Sequence, residues 1–165
     1  MNTFLSVSPT QLCQQDFHWR NHLIGASNST IAHQGCALCG VSMISAEFGG
    51  FKDPAFIAAH PELFLIDKIL WKLVNRVVPC VKFIWRQFGY DPSMIADFVV
   101  PGEKATLLQV PINAKLQEYH WLKVVKIVKT GRGTDYLVND PYTGRPCLAI
   151  VTYGSITGSA HFVKA

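Results

Sequence analysis

The feature that most constrains this chain is a cysteine placed at the start of a helix. Residues 30–35 are polar and end in glycine, and Cys36 then opens a run whose apolar residues recur at helical spacing. The sequence Phe48-Gly49-Gly50 is typical of a helix end. A thiol at a helix N-terminus faces unpaired backbone N–H groups and the positive end of the helix dipole, which favour the thiolate. The pattern therefore predicts a helix over residues 36–48 that presents a nucleophilic cysteine.

The composition favours a single compact domain spanning residues 1–165. Hydrophobic residues make up 49% of the chain and charged residues 16%, which argues against disorder. The net charge of +4 is mild and the basic residues are scattered, so we expect no nucleic-acid partner; attraction to an anionic polymer such as a cell wall stays open. The cysteines number five, which is odd, and the domain is large enough to fold without disulfide bonds, so we expect free thiols.

The N-terminus and the hydropathy pattern both bear on where the protein works. Residues 1–5 lack the basic and long apolar regions of a signal peptide. No run approaches the roughly eighteen apolar residues of a membrane-spanning helix. We therefore expect a soluble protein made in the cytoplasm. If its substrate is a cell wall, we expect the protein to be released from the cell or carried in a virion. The pattern implies no cofactor and no metal.

Periodicity divides the chain into a helical first half and a strand-rich second half. A short helix is predicted around Gln11–His22, started by Pro9 and Thr10. A longer amphipathic helix is predicted over Glu62–Val78, and Val81–Trp85 fits either a strand or a helical turn. Helices followed by strands indicate an α+β domain with an antiparallel sheet. The predicted strands, rich in Val, Ile and aromatic residues, are Ala105–Val110, Trp121–Val128, Tyr136–Val138, Leu148–Tyr153 and His161–Val163.

The strongest pairing signal is a hairpin between Tyr119–Lys129 and Thr134–Asp140, which are joined by a glycine-containing loop. Folding the chain at that loop places His120 opposite the end of the partner strand, at the open end of the hairpin. Because side chains alternate between faces, only one of Asn139 and Asp140 can share the face of His120. Such a pair would complete a Cys–His–Asp/Asn arrangement, in which the imidazole takes the thiol proton and the third group orients the ring.

Short fragments along the chain together resemble one known family. In order and spacing they are similar to the papain-like cysteine peptidases of the bacteriocin-leader (double-glycine) type and their broad bacterial and phage relatives. The shared features are a Gln-x-Asp-x-x-Trp element, a Gly-Cys that opens a helix, a His-Trp strand and an Asn-Asp-Pro. The matching residues are Gln14-Gln15-Asp16-Phe17-His18-Trp19, Ile24-Gly25, Thr30-Ile31, Gly35-Cys36, Met43, Gly49, His120-Trp121 and Asn139-Asp140-Pro141.

The resemblance implies a papain-like fold, in which an N-terminal helical part packs on a C-terminal antiparallel sheet with a cleft for an extended peptide between them. It implies Cys36 as the nucleophile and His120 as the base. It further implies Asp140 as the residue that orients the base and Gln14 as the oxyanion donor. Residues 51–100 depart from the family pattern and are expected to form a helix-rich insertion within the single domain.

The expected reaction is hydrolysis of an amide bond through an acyl-thioester intermediate. Two substrates fit the resemblance. One is the peptide of a bacterial cell wall (peptidoglycan), cut by a hydrolase of phage or bacterial origin. The other is a protein or leader peptide. A catalytically inactive papain-like module that binds without turnover is a further alternative.

Other interpretations of the same residues stay open at this point. Cys36 and Cys39 form a C-x-x-C pair, which also fits a thiol-redox site or half of a zinc site. Gln15 and Gln34 are alternatives to Gln14 as the oxyanion donor. The sequence therefore predicts the nucleophile and its base more sharply than the group that stabilises the oxyanion.

Overall fold

The computed structural model describes residues 10–165. Pro9, predicted to start a helix, and residues 1–5, predicted not to form a signal peptide, lie outside this range. None of the helices within 10–165 is long and apolar enough to cross a membrane. The helices are α1 (Ile31–Gln34), α2 (Cys36–Glu47), α3 (Pro54–Ala58), α4 (Val74–Val77), α5 (Pro92–Asp97) and α6 (Ala149–Tyr153). The strands are β1 (Phe64–Leu65), β2 (Lys68–Ile69), β3 (Val81–Phe88), β4 (Lys104–Asn113), β5 (Glu118–Thr130), β6 (Gly133–Asp140), β7 (Arg145–Leu148) and β8 (Gly158–Lys164).

Six of these strands form one antiparallel sheet in the order β3-β8-β4-β5-β6-β7. Strand β8 therefore lies between β3 and β4, and pairs with both in antiparallel register. Strands β4, β5, β6 and β7 follow one another as neighbours, as chains do when hairpins connect them. Strands β1 and β2 form a separate small hairpin. The predicted α+β class with an antiparallel sheet is confirmed.

Helix α2 is the central helix, and it begins where the sequence predicts. All side chains from Leu38 to Ser45 are buried. Its two buried serines are satisfied locally, because the Ser42 hydroxyl donates to the Lys52 carbonyl and the Ser45 hydroxyl donates to the Ser42 carbonyl. A Cβ at Gly40 would lie 2.8 Å from a methyl carbon of Leu107 on β4. The glycine thus lets α2 lie close against the sheet, which fixes where Cys36 projects.

The sheet buries both of its faces. Adjacent residues of β4 point to opposite sides, so Leu107 packs in the core shared with α2 while Leu108 packs in a second core on the other face. Ile95 of α5 and Ala149 of α6 cover that second face. At the far end of α2, Glu47 forms an ion pair with Lys123 of β5. The helix that begins with the thiol is therefore fastened to the strand that carries His120.

The predicted hairpin is formed by β5 and β6. Thr130 pairs with Gly133 across a two-residue turn, and Lys123 pairs with Asn139 nearer the open end. An irregularity between Val124 and Lys126 shifts the register by one residue. The confirmed pairing brings the start of β5 to the end of β6.

No helix forms over Gln11–His22, so that prediction is wrong. The segment is a series of turns whose polar groups bond to the chain around the end of β6. The Gln14 backbone N–H donates to the Pro141 carbonyl at 2.7 Å, and the Asn139 side chain donates to the Thr10 carbonyl at 3.1 Å. Local turns, such as the bonds from the Trp19 and Arg20 N–H groups to the Asp16 carbonyl, and a few long-range partners take the backbone groups that one regular helix would have used.

The prediction of one amphipathic helix over Glu62–Val78 is also wrong. The chain reverses within it, because Ile66 adopts a left-handed φ of 60° in the turn between β1 and β2. Leu63 and Val74 still reach the core. They do so from a 3₁₀ turn and from the short α4 rather than from one continuous helix. Residues 51–100 consequently contain an edge strand of the main sheet, β3, as well as short helices.

The predicted strand over Leu148–Tyr153 is replaced by helix α6. Its first backbone N–H groups, those of Ile150 and Val151, donate to the two carboxylate oxygens of Asp135 at 2.8 and 3.1 Å. A carboxylate at a helix N-terminus satisfies orphan donors and complements the dipole. Because Asp135 lies on β6, this cap is a tertiary contact and leaves no local pattern in residues 148–153.

Candidate active site

An open cleft of about 530 Å³ lies where the N-terminus of α2 meets the start of β5. Cys36, His120 and Trp121 line it, together with Ile69 and Trp71. The cleft thus combines a thiol and an imidazole with apolar and aromatic walls, which is the usual make-up of a ligand-binding pocket.

Cys36 is the first residue of α2, and it lines the cleft together with His120. Burial alone would raise the pKa of this thiol. The hydrogen bond and positive charge of His120 outweigh burial, with help from the backbone N–H groups of Trp121 and Ala37, so the pKa of Cys36 lies below its ordinary value. The site therefore favours a thiolate.

His120 is almost wholly buried at 2% exposure, and its Nε2 lies 2.7 Å from Oδ1 of Asp140. This contact leaves Nδ1 as the ring nitrogen that faces Cys36. Burial would lower the pKa of His120, but the hydrogen bonds and charges of Asp140 and Cys36 outweigh it and raise the pKa to about 9. A raised pKa favours the protonated imidazole, which in turn favours the thiolate of Cys36.

Asp140 is completely buried and holds three hydrogen-bond donors. Oδ1 accepts from His120 and from the Tyr142 backbone N–H at 2.8 Å, and Oδ2 accepts from the Tyr153 hydroxyl at 2.6 Å. Burial would raise the pKa of this carboxyl, yet the bonds from His120 and Tyr153 outweigh it and lower the pKa. Asp140 is therefore ionised and fixes the orientation of the imidazole. The neighbouring Asn139 points elsewhere, as the alternation of side chains requires.

Gln14 lies in the cleft, buried to 2% exposure. Its Nε2 donates one hydrogen bond to the Ala32 carbonyl at 2.7 Å, and an amide nitrogen carries a second N–H that this bond does not use. Gln15 also donates to Ala32 but does not line the cleft, whereas Gln34 lines it and accepts from Lys68 at 3.0 Å. Of the three glutamines, Gln14 is the buried donor at the site.

Cys39 lies one turn after Cys36 and faces the core, where it is fully buried. Burial raises its pKa well above the ordinary value, and the charge of Cys36 raises it further. All five cysteines are free thiols, as predicted. Within residues 10–165, no three His, Cys, Asp or Glu side chains are grouped as a metal site would require.

Two residues that sequence reasoning missed belong to this site. Tyr153 donates a hydrogen bond to Asp140. The sequence places Tyr153 in a predicted strand, but it reaches Asp140 from helix α6, which the sequence does not predict. Arg86 lines the cleft from β3 and carried no motif of its own. The backbone N–H of Trp121, which helps to lower the pKa of Cys36, follows from its place beside His120 on β5.

The chain matches no protein-family model. No curated protein matches it either. What the site can do chemically therefore follows from its geometry: a thiol at a helix N-terminus, an imidazole that lines the same cleft and a buried carboxylate bonded to the imidazole.

Proposed function

We propose that this protein is a papain-like cysteine peptidase that hydrolyses an amide bond in a peptide. One observation carries the proposal: His120, which is bonded to the buried Asp140 carboxylate, lines the same open cleft as the Cys36 thiol at the N-terminus of α2. The fragments that resemble the bacteriocin-leader peptidases and their phage and bacterial relatives support the same conclusion. The proposed nucleophile, base and orienting residue are Cys36, His120 and Asp140.

The first half of the reaction forms a covalent intermediate. The Cys36 thiolate attacks the carbonyl carbon of the scissile amide, and the His120 imidazolium gives its proton to the leaving amine. The C–N bond breaks, the amine leaves, and the acyl group remains on Cys36 as a thioester. Asp140 keeps the imidazole in the orientation that serves this transfer.

The second half restores the thiolate. Neutral His120 takes a proton from water, whose oxygen attacks the thioester carbonyl, and the C–S bond breaks. The acid product leaves, and the proton stays on His120 to regenerate the ion pair. In both halves, negative charge develops on the carbonyl oxygen. The first-turn N–H groups of α2 and the second amide N–H of Gln14 are the donors we assign to it.

The proposed substrate is the peptide of a bacterial cell wall. A mildly basic protein is attracted to an anionic polymer, which supports this choice. A protein or leader peptide is the competing substrate, and digestion experiments separate the two.

A thiol–disulfide exchange site is the second candidate. It is supported by the contrast within the C-x-x-C pair, where the pKa of Cys36 is lowered and that of the buried Cys39 is raised. In such a site Cys36 would attack a substrate disulfide and Cys39 would release the product by closing a Cys36–Cys39 disulfide. Exchange requires Cys39, whereas amide hydrolysis does not, so one substitution distinguishes the two functions.

The test uses a cysteine-directed electrophile on the folded protein, followed by mass spectrometry of the labelled peptides. We expect labelling at Cys36 at about pH 6, where an ordinary thiol is almost entirely protonated. Purified peptidoglycan and a peptide library are then digested, and the new termini are identified by mass spectrometry.

Two matched variants complete the experiment. Cys36→Ala should abolish both labelling and hydrolysis, whereas Cys39→Ala should keep both within about threefold, as core substitutions without a chemical role do. Loss of function in both variants, with disulfide reductase activity in the wild type, would support the exchange site instead. Labelling at Cys39 alone would refute both assignments.

A further inference from the structure

We propose that Arg86, together with Gln109 on the cleft wall, binds a carboxylate of the substrate, so that the enzyme prefers peptides carrying a carboxylate near the scissile amide. The inference rests on the proposed peptidase function for its meaning as a specificity site. The carboxylate itself has two sources, an Asp or Glu side chain or the free C-terminus of a peptide. Both present the same planar anion to a guanidinium.

The Arg86 guanidinium is held firmly, and only by neutral acceptors. Nη1 donates to the backbone carbonyls of Gln87 at 2.5 Å and Ser159 at 3.0 Å, and Nη2 donates to Oε1 of Gln109 at 2.8 Å. A guanidinium has more N–H donors than these three acceptors use. The group is thus fixed in position while part of its donor set stays open to a ligand.

Two aromatic rings and a glycine shape the place where the guanidinium lies. Its central carbon is 4.7 Å from the ring centre of Phe88 and 4.7 Å from that of Trp121. A Cβ at Gly158 would lie 2.5 Å from Nη1, so only glycine leaves room for the arginine there. Together these residues build a pocket around a cation rather than a loose surface contact.

No anion within the structure neutralises Arg86. Among residues 10–165 it makes no ion pair with an Asp or Glu, and residues 1–9 contain neither residue type. Lys68, which also lines the cleft, differs because its Nζ lies 3.3 Å from Asp67. Burial lowers the pKa of Arg86, yet an arginine remains charged in proteins. A half-buried positive charge without an anion gains most from one that a ligand supplies.

The location connects this charge to the proposed chemistry. Trp121 connects the two places, because it follows His120 on β5 and its ring lies against the guanidinium. Arg86 and Cys36 line the same cleft. A carboxylate bound to Arg86 would therefore belong to a residue close to the amide that Cys36 attacks. A purely structural role, in which Arg86 only supports the Trp121 ring, predicts no preference for an anion.

Binding is measured in the Cys36→Ala background, so that no peptide is consumed. Fluorescent peptides are compared in pairs that differ only by Glu against Gln, or only by a C-terminal acid against an amide, using anisotropy. We expect the acid member of at least one kind of pair to bind roughly tenfold more tightly, as charge-assisted hydrogen bonds do. Preference in the first kind of pair assigns a side-chain carboxylate, and preference in the second assigns a terminal one.

In Arg86→Met, the acid and amide peptides should bind with about equal affinity, because the charge is lost while an unbranched side chain remains next to Trp121. Arg86→Lys, a gentler change that protects the test against misfolding, should keep only part of the preference because it lacks the planar fork. Arg76→Met is the matched control. It removes one exposed positive charge outside the cleft and should leave the preference intact.

Equal binding of acid and amide peptides, no binding by any pair, or a preference that survives in Arg86→Met would overturn the carboxylate site. Hydrolysis by the wild-type protein is measured separately on the same peptides. Acid-selective binding without hydrolysis would refute the peptidase and leave the carboxylate site standing. Hydrolysis without acid-selective binding would support the peptidase and refute the carboxylate site.

Discussion

The surroundings of His120 and His161 differ in a way that separates a chemical site from a structural one. The two histidines lie on β5 and β8, the two neighbours of β4, and are buried to 2% and 0% exposure. Their pKa values nevertheless move in opposite directions, to about 9 for His120 and to about 4 for His161. Equal burial thus produces two different protonation states.

The difference lies in the partners. His120 faces a carboxylate and a thiol, both of which stabilise its charged form. His161 lies between two hydroxyls, with Thr106 Oγ1 3.0 Å from Nδ1 and Ser159 Oγ 2.8 Å from Nε2. Burial lowers the pKa of His161, and the nearby charge of Arg86 lowers it further. A buried histidine is therefore a candidate base only where an acid compensates for its lost hydration.

The largest expected effect is on activity. His120→Gln should reduce kcat/KM by roughly 10³-fold or more, because the proton donor and acceptor is lost. His161→Gln should keep kcat/KM within about threefold, yet lower the free energy of unfolding by about 1–3 kcal/mol, because buried hydroxyls lose a partner. Hydrolysis assays and urea unfolding at neutral pH measure the two quantities.

Alkylation of Cys36 provides the control if hydrolysis is slow. The alkylation rate at about pH 6 should fall in His120→Gln and stay near the wild-type value in His161→Gln. Equal losses in the two variants would remove the distinction drawn between these histidines.

A smaller effect is expected in the pH dependence of stability. The folded-state pKa of His161 is depressed from 6.5 to about 4, so the unfolded chain takes up the proton first. Its contribution to stability is complete above about pH 6.5 and is lost as the pH falls toward about 4, by a total of about 3 kcal/mol. The destabilisation caused by His161→Gln should therefore be largest at neutral pH and shrink at about pH 4.

Urea unfolding of the two proteins at several pH values between about 4 and 7 measures this trend. His22→Gln, at an exposed histidine, is the matched control and should follow the wild-type curve. A difference between wild type and His161→Gln that stays constant with pH would show that folding does not lower the pKa of His161.

The smallest effect concerns the thiolate itself. Asp140→Asn removes the charge that holds the pKa of His120 up, so the thiolate–imidazolium pair forms less readily. The rate of Cys36 alkylation at about pH 6 should fall roughly tenfold, and the rise of the rate with pH should move to higher pH. Tyr153→Phe removes only one donor to Asp140 and should move that rise in the same direction by less. An unchanged profile in Asp140→Asn would exclude its proposed orienting role.

The parts of the site that the sequence predicts are those set by local rules. Gly35 before Cys36 and the glycines after Phe48 bound α2 because capping and dipole effects act within one turn. The register of β5 and β6 follows from their short turn, and it brings His120 to Asp140. Each of these predictions needs only residues that are neighbours along the chain or across one hairpin.

The parts that it does not predict depend on contacts between distant segments. Helix α6, and with it Tyr153, is stabilised by Asp135 on β6, so a Val- and Ile-rich segment that favours a strand becomes a helix. The spacing of Glu62–Val78 suits a helix equally well, but the chain turns back at Ile66. The role of Arg86 emerges only when β3 is placed next to β8. In each case tertiary partners override a local preference.

The position of β8 has a consequence for biosynthesis. Strands β3 and β4 are not neighbours; both are joined through Gly158–Lys164, a segment made on the ribosome after every other element described. Until that segment emerges, β3 has no partner in the sheet, because β8 is the one strand with which it pairs among the residues described. The sheet that carries both Arg86 and His120 is therefore completed only by the last strand described.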